Sequence, residues 1–299
     1  MQTLVAHRWL PIFGLMVGAT FWGIVWYPFR LLQAVGVSAP VATSLCYAVT
    51  ILLGGVLFWR AWREFLRYPW ILGGIALAAG VANVSYLVAI MQGEVVRIVL
   101  LFYLAPLWTV PLARLLLNEK LTLAGFATML IAFTGAVVML WQPALGFPAP
   151  RNAAEWLGVL GGFGFAVNNV LIRRATYCSG EAVSLTGALG VLVVALPVSL
   201  LLQPSWVSTL TITAPYVGLI VAMGVLLLLT ALAMQYGLSR TPANRAAVVL
   251  LFELVVAAVA AHFLANESTR LQDWIGGIMI VAAGFVATMG KDEPEIAKA

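Results

Sequence analysis

Charged residues are scarce in this chain. Only 9% of its 299 residues are Asp, Glu, Lys or Arg, and 63% are hydrophobic, whereas a soluble domain carries roughly 25% charged residues. So little charge leaves too few polar groups to cover a surface in water, which excludes an ordinary soluble domain. The net charge of +5 is spread in ones and threes between apolar runs rather than gathered in one basic stripe, which argues against nucleic-acid binding. The sequence therefore indicates a membrane protein.

Residues that catalysis or metal binding would need are also few. The chain has two cysteines and two histidines. Cys46 lies inside one apolar run and Cys178 beyond the end of another, so a structural disulfide is not expected. His7 and His262 stand alone, and no zinc-protease, nucleophile-elbow, acidic metal-binding or glycine-rich phosphate-binding pattern occurs. We therefore predict no catalytic residue, no metal, no cofactor and no enzyme activity.

Long apolar runs are what the sequence has in abundance. A helix needs about 20 mostly apolar residues to cross a bilayer, and breaks rich in proline, glycine or charge leave ten such runs. They are residues 9–30, 39–59, 69–91, 96–117, 121–141, 155–175, 182–203, 212–238, 244–265 and 272–290. The first run is too long for the apolar part of a signal peptide and lacks a small-residue cleavage end, so we expect it to be retained. The predicted fold class is an all-α polytopic membrane protein with ten transmembrane helices.

The sequence also repeats itself at about half its length. The first copy carries Arg97, an apolar run and Asn118-Glu119, and the second carries Arg245, an apolar run and Asn266-Glu267, 148 positions later. Gly14, Gly18 and Arg30 likewise recur 144 positions later as Gly158, Gly162 and Arg174. Duplicated membrane units are the usual construction of secondary transporters. We predict five-helix repeats at residues 1–141 and 155–290, a linker at 142–154 and a cytoplasmic tail at 291–299.

Lysine and arginine near the ends of the runs predict the orientation in the bilayer. With the N-terminus in the cytoplasm, twelve lie on the inner side: Arg8, Arg60, Arg63, Arg67, Arg114, Lys120, Arg173, Arg174, Arg240, Arg245, Lys291 and Lys298. Four lie outside: Arg30, Arg97, Arg151 and Arg270. Both termini are therefore expected in the cytoplasm. Because each repeat has an odd number of helices, the two repeats would be inverted, which places a binding site between them near the midplane.

Polar groups inside the apolar runs are candidates for binding a solute, because an unsatisfied polar group in hydrocarbon costs several kcal/mol. The predicted substrate-binding residues are Trp22, Asn83, Tyr86, Tyr103, Asn168, Asn169, Gln235, Tyr236 and Glu253. Asn83 and Tyr86 are three residues apart and share a helix face. The alternative for each amide and phenol is a bond that joins two helices.

Glu253 is the strongest single candidate. It lies near the centre of the ninth run, where the first copy has Ala105, and a carboxylate there costs roughly 2.5 to 3.5 kcal/mol on insertion scales. Such a residue is a candidate proton carrier or a ligand for the amino group of a substrate. The alternatives are a permanent bond to a neighbouring helix or a permanent pair with a basic side chain.

Glycines and prolines are expected to shape the helices rather than to bind a solute. Glycines four residues apart allow close helix crossing, and prolines inside helices kink them. The predicted packing or hinge residues are Gly14, Gly18, Pro28, Pro106, Pro111, Gly158 and Gly162, with Pro197 as a further kink.

Several motifs together resemble those of a known family. The first run is aromatic and glycine-rich and ends in Phe29-Arg30, and an apolar-Asn-Glu-Lys-Leu-Thr pattern spans residues 117–122 before a glycine-bearing run. The second copy has Leu264 to Glu267 and later glycines, although Ser268-Thr269 departs from the basic-Leu-Thr sequel. Over essentially its whole length the chain resembles the drug/metabolite transporter superfamily, in its EamA branch. Within that branch it is most similar to the YddG-type aromatic amino-acid exporters of bacterial inner membranes.

This resemblance implies a function. We expect a secondary transporter that exports small amino acids, with aromatic ones favoured, and related metabolites by alternating access between two halves. Its partners would be the small-molecule substrate and the lipid bilayer, and its location the bacterial inner membrane; the sequence does not reveal its oligomeric state or whether protons are coupled. The alternatives are a multidrug exporter for cationic aromatic compounds and, in a different class, an intramembrane enzyme with an unrecognised site.

Overall fold

The apolar runs fold as helices, because a helix satisfies its own backbone groups where no water can do so. The computed structural model of the chain describes residues 2–92, 98, 101–118, 123–141, 150–206, 213–265 and 271–289. In these ranges every regular element is helical: α1 (Gln2–Ile24), α2 (Trp26–Ala34), α3 (Ala39–Leu57), α4 (Ala61–Arg67), α5 (Pro69–Gln92), α6 (Ala105–Leu117), α7 (Leu123–Leu140), α8 (Ala153–Arg174), α9 (Gly180–Leu202), α10 (Ala214–Arg240), α11 (Ala243–Leu250), α12 (Phe252–Ala265) and α13 (Leu271–Met289). The predicted all-α class is confirmed for this part of the chain.

Some of these helices are long enough to cross a membrane and some are shorter. Six stretches have the length and the hydropathy of a membrane span: Trp9–Ala34, Ala39–Leu57, Pro69–Ala89, Ala153–Arg174, Gly180–Leu202 and Ala214–Arg240. Four further apolar stretches are shorter: Leu107–Leu117, Gly125–Val138, Val248–Leu264 and Trp274–Ala283. The short stretches fall in the fourth, fifth, ninth and tenth predicted runs.

Three runs predicted as continuous helices are broken in the structure. The first run is interrupted at Val25 and the fourth at Tyr103 and Leu104. In each case a proline follows, Pro28 or Pro106, and its missing N–H and its ring disrupt the bond to the carbonyl four residues earlier. Val25 and Leu104 keep right-handed helical dihedrals, so each proline lies just after a local interruption of the helical hydrogen bonds. Pro111 and Pro197 do lie inside helices, α6 and α9.

The ninth run is broken at Leu251, between α11 and α12. No proline or glycine stands near this point in the sequence. The chain continues through a tight turn in which the amide of Leu254 donates to the carbonyl of Leu251 at 3.1 Å. Leu251 lies 148 positions after Tyr103, so the two breaks occur at matched positions of the repeat.

The repeat markers are only partly within the described residues. Asn118 ends α6 in the left-handed conformation, with a φ of 55°, which asparagine tolerates better than most residues. Arg97, Glu119, Asn266 and Glu267 lie outside the described residues, as do most of the predicted linker and the tail.

The helices form one bundle in which early helices pack against late ones. α1 packs on α10, α11 and α12, whereas α8 packs on α5 and α6. The remaining large contacts join α3 to α9 and α10, α5 to α9, and α7 to α13. The centre holds buried aliphatic side chains such as Leu15, Ile75 and Leu185, while the outward faces of the helices also carry large apolar side chains such as Val56, Leu201 and Phe285. An apolar exterior of this kind suits lipid rather than water.

The glycines matched in sequence do not play matched structural roles. Gly14 and Gly18 lie against α10, where a Cβ would meet Ala233 and Met234. Gly158 and Gly162 lie against Ile98 and Phe102 of the fourth run instead. Gly161 and Gly164 of α8 face α5, in the same way that Gly14 and Gly18 of α1 face α10. All four matched glycines therefore lie against another helix or run, but the two pairs serve different interfaces, because glycines occupy two faces of α8.

Candidate functional site

A cavity lies at the centre of the bundle, between α5, α8, α9 and α10, with α1, α3 and the start of α12 completing its wall. Its volume is about 160 Å³, which corresponds to on the order of ten water-sized positions at 10 to 15 Å³ each. The polar side chains that line it are Tyr47, Thr50, Asn83, Tyr86, Asn168, Asn169, Ser184, Thr230, Gln235 and Glu253, and the remaining lining is aromatic or aliphatic. A cavity of this size accommodates a small metabolite.

Glu253 lies where the ninth run is broken. It belongs to the first turn of α12, just after Leu251, so that its carboxylate lies near the positive end of that helix. The hydroxyl of Tyr103 donates a hydrogen bond to this carboxylate, and Tyr86 is close enough to interact with it electrostatically. Because Tyr103 belongs to the matched break in the first copy, the two breaks meet at this hydrogen bond.

Aromatic rings form the wall beside Glu253. The ring centroids of Tyr86 and Phe102 are 4.6 Å apart, and those of Phe102 and Phe165 are 5.5 Å apart. Trp22 faces the same cavity from α1. Rings at these spacings make favourable tilted contacts with one another, and they offer a flat apolar surface to a further ring.

Several buried polar atoms in the cavity wall have no hydrogen-bond partner among the described residues. They are the Oδ1 atoms of Asn168 and Asn169 and the hydroxyl of Ser184. Asn169 is only 3% exposed and Ser184 only 7%. Leaving a buried polar group unpaired costs about 1 to 3 kcal/mol, so such groups usually meet a ligand or water. This part of the wall therefore suits a polar solute.

Other polar groups of the wall are already engaged in the structure. The Asn83 amide donates to the carbonyl of Ala79 at 2.9 Å, within α5. The Thr50 hydroxyl lies 2.9 Å from the carbonyl of Gly224 and so joins α3 to α10. The Gln235 side chain lies over Gly180, where a Cβ would come within 2.5 Å of its Oε1 atom. These groups stabilise the wall, and the amides keep a further donor or acceptor for a solute.

Seven of the nine residues predicted to bind substrate line the cavity: Trp22, Asn83, Tyr86, Asn168, Asn169, Gln235 and Glu253. Tyr103 does not line the cavity, but it contacts two residues that do, Phe102 and Glu253. Tyr236 lies elsewhere, with the Arg240 guanidinium 4.0 Å from its ring centre. It follows Gln235 directly and is therefore rotated by about 100° around α10.

Sequence reasoning missed several lining residues, chiefly Tyr47, Thr50, Ser184 and Thr230. Hydroxyl side chains are common inside membrane helices, where they bond the backbone of their own helix, as Thr50 does with Cys46. The one signal that could have found Tyr47 and Thr50 is their spacing of three residues, which places both on one face of α3.

Charge within the wall is limited to one carboxylate. Among the described residues that line the cavity, Glu253 is the one charged side chain, and none is Lys, Arg or His. No group of three or more His, Cys, Asp and Glu side chains that could hold a metal ion occurs in the described ranges. The wall can therefore bind through hydrogen bonds, ring contacts and a single carboxyl group.

Beyond one end of the cavity, the connection between α8 and α9 is tied to α4. The Ser179 amide donates to the Glu64 carboxylate at 2.8 Å, and the Ser179 hydroxyl accepts from the amide of Ala182 and so caps α9. Burial, and secondarily the nearby charge of Glu64, raises the pKa of the Cys178 thiol to about 11. Cys178 is therefore a neutral thiol at physiological pH.

A bundle of apolar helices around a small polar cavity defines a multi-pass membrane protein that can bind a small solute. The sequence model of the EamA-like transporter family matches residues 9–141 and again residues 152–289. These two matches cover most of the chain, which therefore belongs to the EamA-like transporter family. The family part of the predicted resemblance is confirmed.

Individual proteins are similar to the chain as well. "Protein RarD" of Streptomyces exfoliatus is 27% identical over 159 residues, which is 51% of this chain and 48% of that protein. The match thus spans about half the length of this curated relative. A crystal structure of another protein superposes with a TM-score of 0.74 over 95% of this chain and 97% of that one, at 19% identity. This second likeness shows a shared fold.

Proposed function

We propose that the protein is a secondary transporter that exports small amino acids, aromatic ones above all, and related metabolites. Membership of a transporter family supports transport of a small molecule. The observation that carries the substrate class is the composition of the cavity wall: one carboxylate, a set of aromatic rings and unpaired neutral polar groups. An aromatic amino acid carries complementary parts.

Each part of such a substrate has a candidate partner. Its ammonium group would bind the carboxylate of Glu253 and displace the hydroxyl of Tyr103 from one oxygen. Its ring would lie on Phe102 and Phe165. Its carboxylate would accept hydrogen bonds from neutral donors, such as the Asn169 amide and the Ser184 hydroxyl, since the described lining holds no basic side chain. Neutral donors bind a carboxylate less tightly than arginine does, which suits a substrate that must be released.

The bundle supports the ten-span arrangement with two inverted repeats, which we propose for this chain. The pairs α1–α10 and α5–α8 are equivalent under exchange of the halves, and so are the pairs α3–α10 and α5–α9. The breaks at Tyr103 and Leu251 are also equivalent. In this arrangement α6, α7, α11 with α12, and α13 supply the four spans that are short, and the repeats are residues 1–141 and 155–290.

Inversion makes a direct topological prediction. The protein would lie in the bacterial inner membrane with both termini in the cytoplasm, so that Asn118 faces the cytoplasm and Asn266 faces the opposite side. Single cysteines at these positions should react with a membrane-impermeant maleimide from opposite sides. Labelling of both from the same side would rule out the inverted arrangement.

Alternating access follows from two halves that meet at the cavity. Rocking of one half against the other would open the cavity first to one side and then to the other. The helix breaks beside Glu253 lie where the halves meet, so a small change at the substrate would be transmitted to α6 and α12. Whether a proton replaces the substrate on Glu253 during the return step is tested by the transport assay below.

Counterflow in proteoliposomes tests the proposal. We expect labelled phenylalanine to accumulate transiently in liposomes loaded with unlabelled phenylalanine, and to be recovered chemically unchanged. Repeating the assay with an imposed pH gradient separates proton-coupled transport from facilitated diffusion. Absence of counterflow for every amino acid tested would overturn the amino-acid proposal, and conversion of the solute would favour an intramembrane enzyme.

A second candidate function is export of cationic aromatic compounds. It is favoured by the single negative charge of the lining and by the lack of a basic lining residue within the described part of the chain. Phenylalanine, 2-phenylethylamine and 3-phenylpropanoate differ only in their charged groups and therefore separate the two functions. An amino-acid exporter should prefer phenylalanine, whereas a cation exporter should prefer the amine; both should reject the acid.

A further inference from the structure

A basic and aromatic surface lies on the segment from Trp59 to Trp70, none of whose residues lines the cavity. This segment comprises α4 and the residues that join it to α3 and α5. Its inner face is fixed to the bundle by Ala61 and Phe65, which pack in the core, and by Glu64, which accepts from the amide of Ser179 at 2.8 Å. Because the inner face is held at three points, the opposite face of α4 is necessarily directed outward.

The outward face carries three exposed arginines, Arg60, Arg63 and Arg67. The guanidinium carbons of Arg60 and Arg63 lie 5.5 and 5.1 Å from the ring centre of Trp59, and that of Arg67 lies 5.3 Å from the ring centre of Tyr68. Such contacts hold the guanidinium groups in place without neutralising them. None of the three pairs with a carboxylate among the described residues, since the acid on α4, Glu64, is turned inward.

A fourth arginine extends this surface from the neighbouring connection. The ring centroids of Tyr68 and Tyr177 are 5.0 Å apart, and Arg174, which is exposed, is close enough to Tyr177 to act on it electrostatically. The surface therefore gathers positive charge from two elements that are distant in sequence, α4 and the end of α8.

Large apolar side chains flank the arginines. Trp59 is 53% exposed, Leu66 is 83% exposed and Trp70 is 93% exposed. They stand where α3 ends and α5 begins, which is the level at which a spanning helix leaves the hydrocarbon for the headgroup region. Tryptophan favours this level, and arginine binds phosphate oxygens in bidentate fashion. The combination fits a molecule that has an apolar tail beside a phosphate group.

We propose that Arg60, Arg63, Arg67 and Arg174 form a docking surface for the headgroups of anionic phospholipids in the adjoining leaflet. The phosphate binds between the guanidinium groups, and the acyl chains lie against Trp59, Leu66 and Trp70. The surface does not take part in binding the transported solute, and so the proposal stands or falls independently of the transported substrate. Each basic residue near an anionic leaflet contributes roughly fivefold to the binding constant.

Native mass spectrometry of the purified full-length chain tests this proposal. The protein is equilibrated with equal amounts of phosphatidylglycerol and phosphatidylcholine, and the ratio of retained lipids is measured. We expect the wild type to retain phosphatidylglycerol preferentially, and the double variant Arg60→Gln with Arg63→Gln to lose about 25-fold in this preference. Equal retention of the two lipids by the wild type would overturn the proposal.

The matched control removes the same charge elsewhere. Arg30 and Arg151 are also exposed, so the double variant Arg30→Gln with Arg151→Gln should change the preference by less than twofold. An equal loss in both double variants would show general attraction by net charge and overturn the docking surface. Thermal unfolding in phosphatidylcholine alone should be the same for all three proteins, which separates loss of binding from loss of fold.

Two further measurements define the chemical group that the surface binds. The variant Arg60→Lys with Arg63→Lys keeps the charge but removes the planar guanidinium groups, so we expect an intermediate, severalfold loss. This variant also serves if the glutamine variant does not fold. Inorganic phosphate at millimolar concentration should leave the lipid adducts in place. Displacement of the lipid by phosphate would identify a site for free anions and contradict a lipid-docking surface.

Discussion

The two helix breaks at the centre of the bundle share their backbone design but differ in their side chains. The fourth run is interrupted at Tyr103 and Leu104 and resumes at Ala105, and the ninth is interrupted at Leu251 and resumes at Phe252. The first copy places a phenol in its break and an alanine after it. The second places a leucine in the break and a carboxylate, Glu253, after it.

This difference indicates how a duplicated scaffold acquires a site. The residues that the copies share build the helices and their crossings. Tyr103 of the first break and Glu253 of the second break have no equivalent in the other copy, and these two side chains meet in a hydrogen bond. Neither copy alone supplies both partners. A solute bound at Glu253 would therefore contact both halves at once, which is what alternating access between two halves requires.

The largest expected effect comes from removing the acid of the second break. Glu253→Gln keeps the size of the side chain and removes its charge, so an ammonium group loses its partner in the cavity. We expect phenylalanine counterflow to fall by roughly 10- to 150-fold, since a charge-assisted bond contributes roughly 1.5 to 3 kcal/mol. The measurement is initial counterflow rate per reconstituted protein.

A matched control for this prediction is Glu181→Gln. Glu181 also lies in the first turn of a helix, α9, but does not line the cavity. Its neutralisation should change counterflow by less than twofold. If the Glu253→Gln variant transports as well as this control, the carboxyl group that the second break has and the first lacks has no role in transport.

The next effect comes from placing an acid in the first break as well. Ala105 is buried at the start of α6, and a carboxylate inside the membrane without a partner costs roughly 2.5 to 3.5 kcal/mol. Ala105→Glu should therefore lower the thermal unfolding midpoint by several degrees, while Ala105→Ser should not. Restoration of transport by Ala105→Glu in the Glu253→Ala background would show instead that the two breaks are interchangeable.

A third comparison concerns the glycines that let α8 approach the first break. The carbonyl of Phe102 lies against Gly162, and a Cβ at Gly162 would collide with it. Pro106 has no N–H to donate to this carbonyl. Gly162→Ala should destabilise the protein by about 1 to 3 kcal/mol, the usual cost of overpacking. Gly158→Ala is the control on the same helix face, because its nearest contact, to the carbonyl of Ile98, is 3.3 Å away. Thermal unfolding in detergent measures both, and equal midpoints would contradict the close approach at Gly162.

Much of the fold could be predicted from the sequence, because length and hydropathy alone define where helices must form in a bilayer. The first and fourth runs also carried a signal for their breaks, Pro28 and Pro106. The break at Leu251 carried none, since no residue there lacks an N–H or favours a turn. The position of α4 could not be predicted either, because seven residues are too few to show a periodic pattern.

The candidate site could be predicted in part. Glu253 was identifiable because a single acid in an apolar run has few explanations, and most of the amides and aromatics chosen with it do line the cavity. Tyr236 does not, because neighbouring residues on a helix are rotated by about 100° and Gln235 is the one of the two that faces the cavity. Ser184 was missed because an unpaired hydroxyl can be identified only when its surroundings are known.

The smallest expected effect comes from the other member of the pair, Tyr103. Tyr103→Phe removes the hydroxyl that donates to Glu253 and keeps the ring against Phe102, so the cavity keeps its shape. One hydrogen bond contributes about 1 kcal/mol, and counterflow of phenylalanine should therefore change about fivefold while the unfolding midpoint stays within a degree or two. Tyr236→Phe is the control, because that ring lies under Arg240 and away from the cavity. If the two variants transport equally well, the carboxylate acts without its partner from the first copy, and the site belongs to the second break alone.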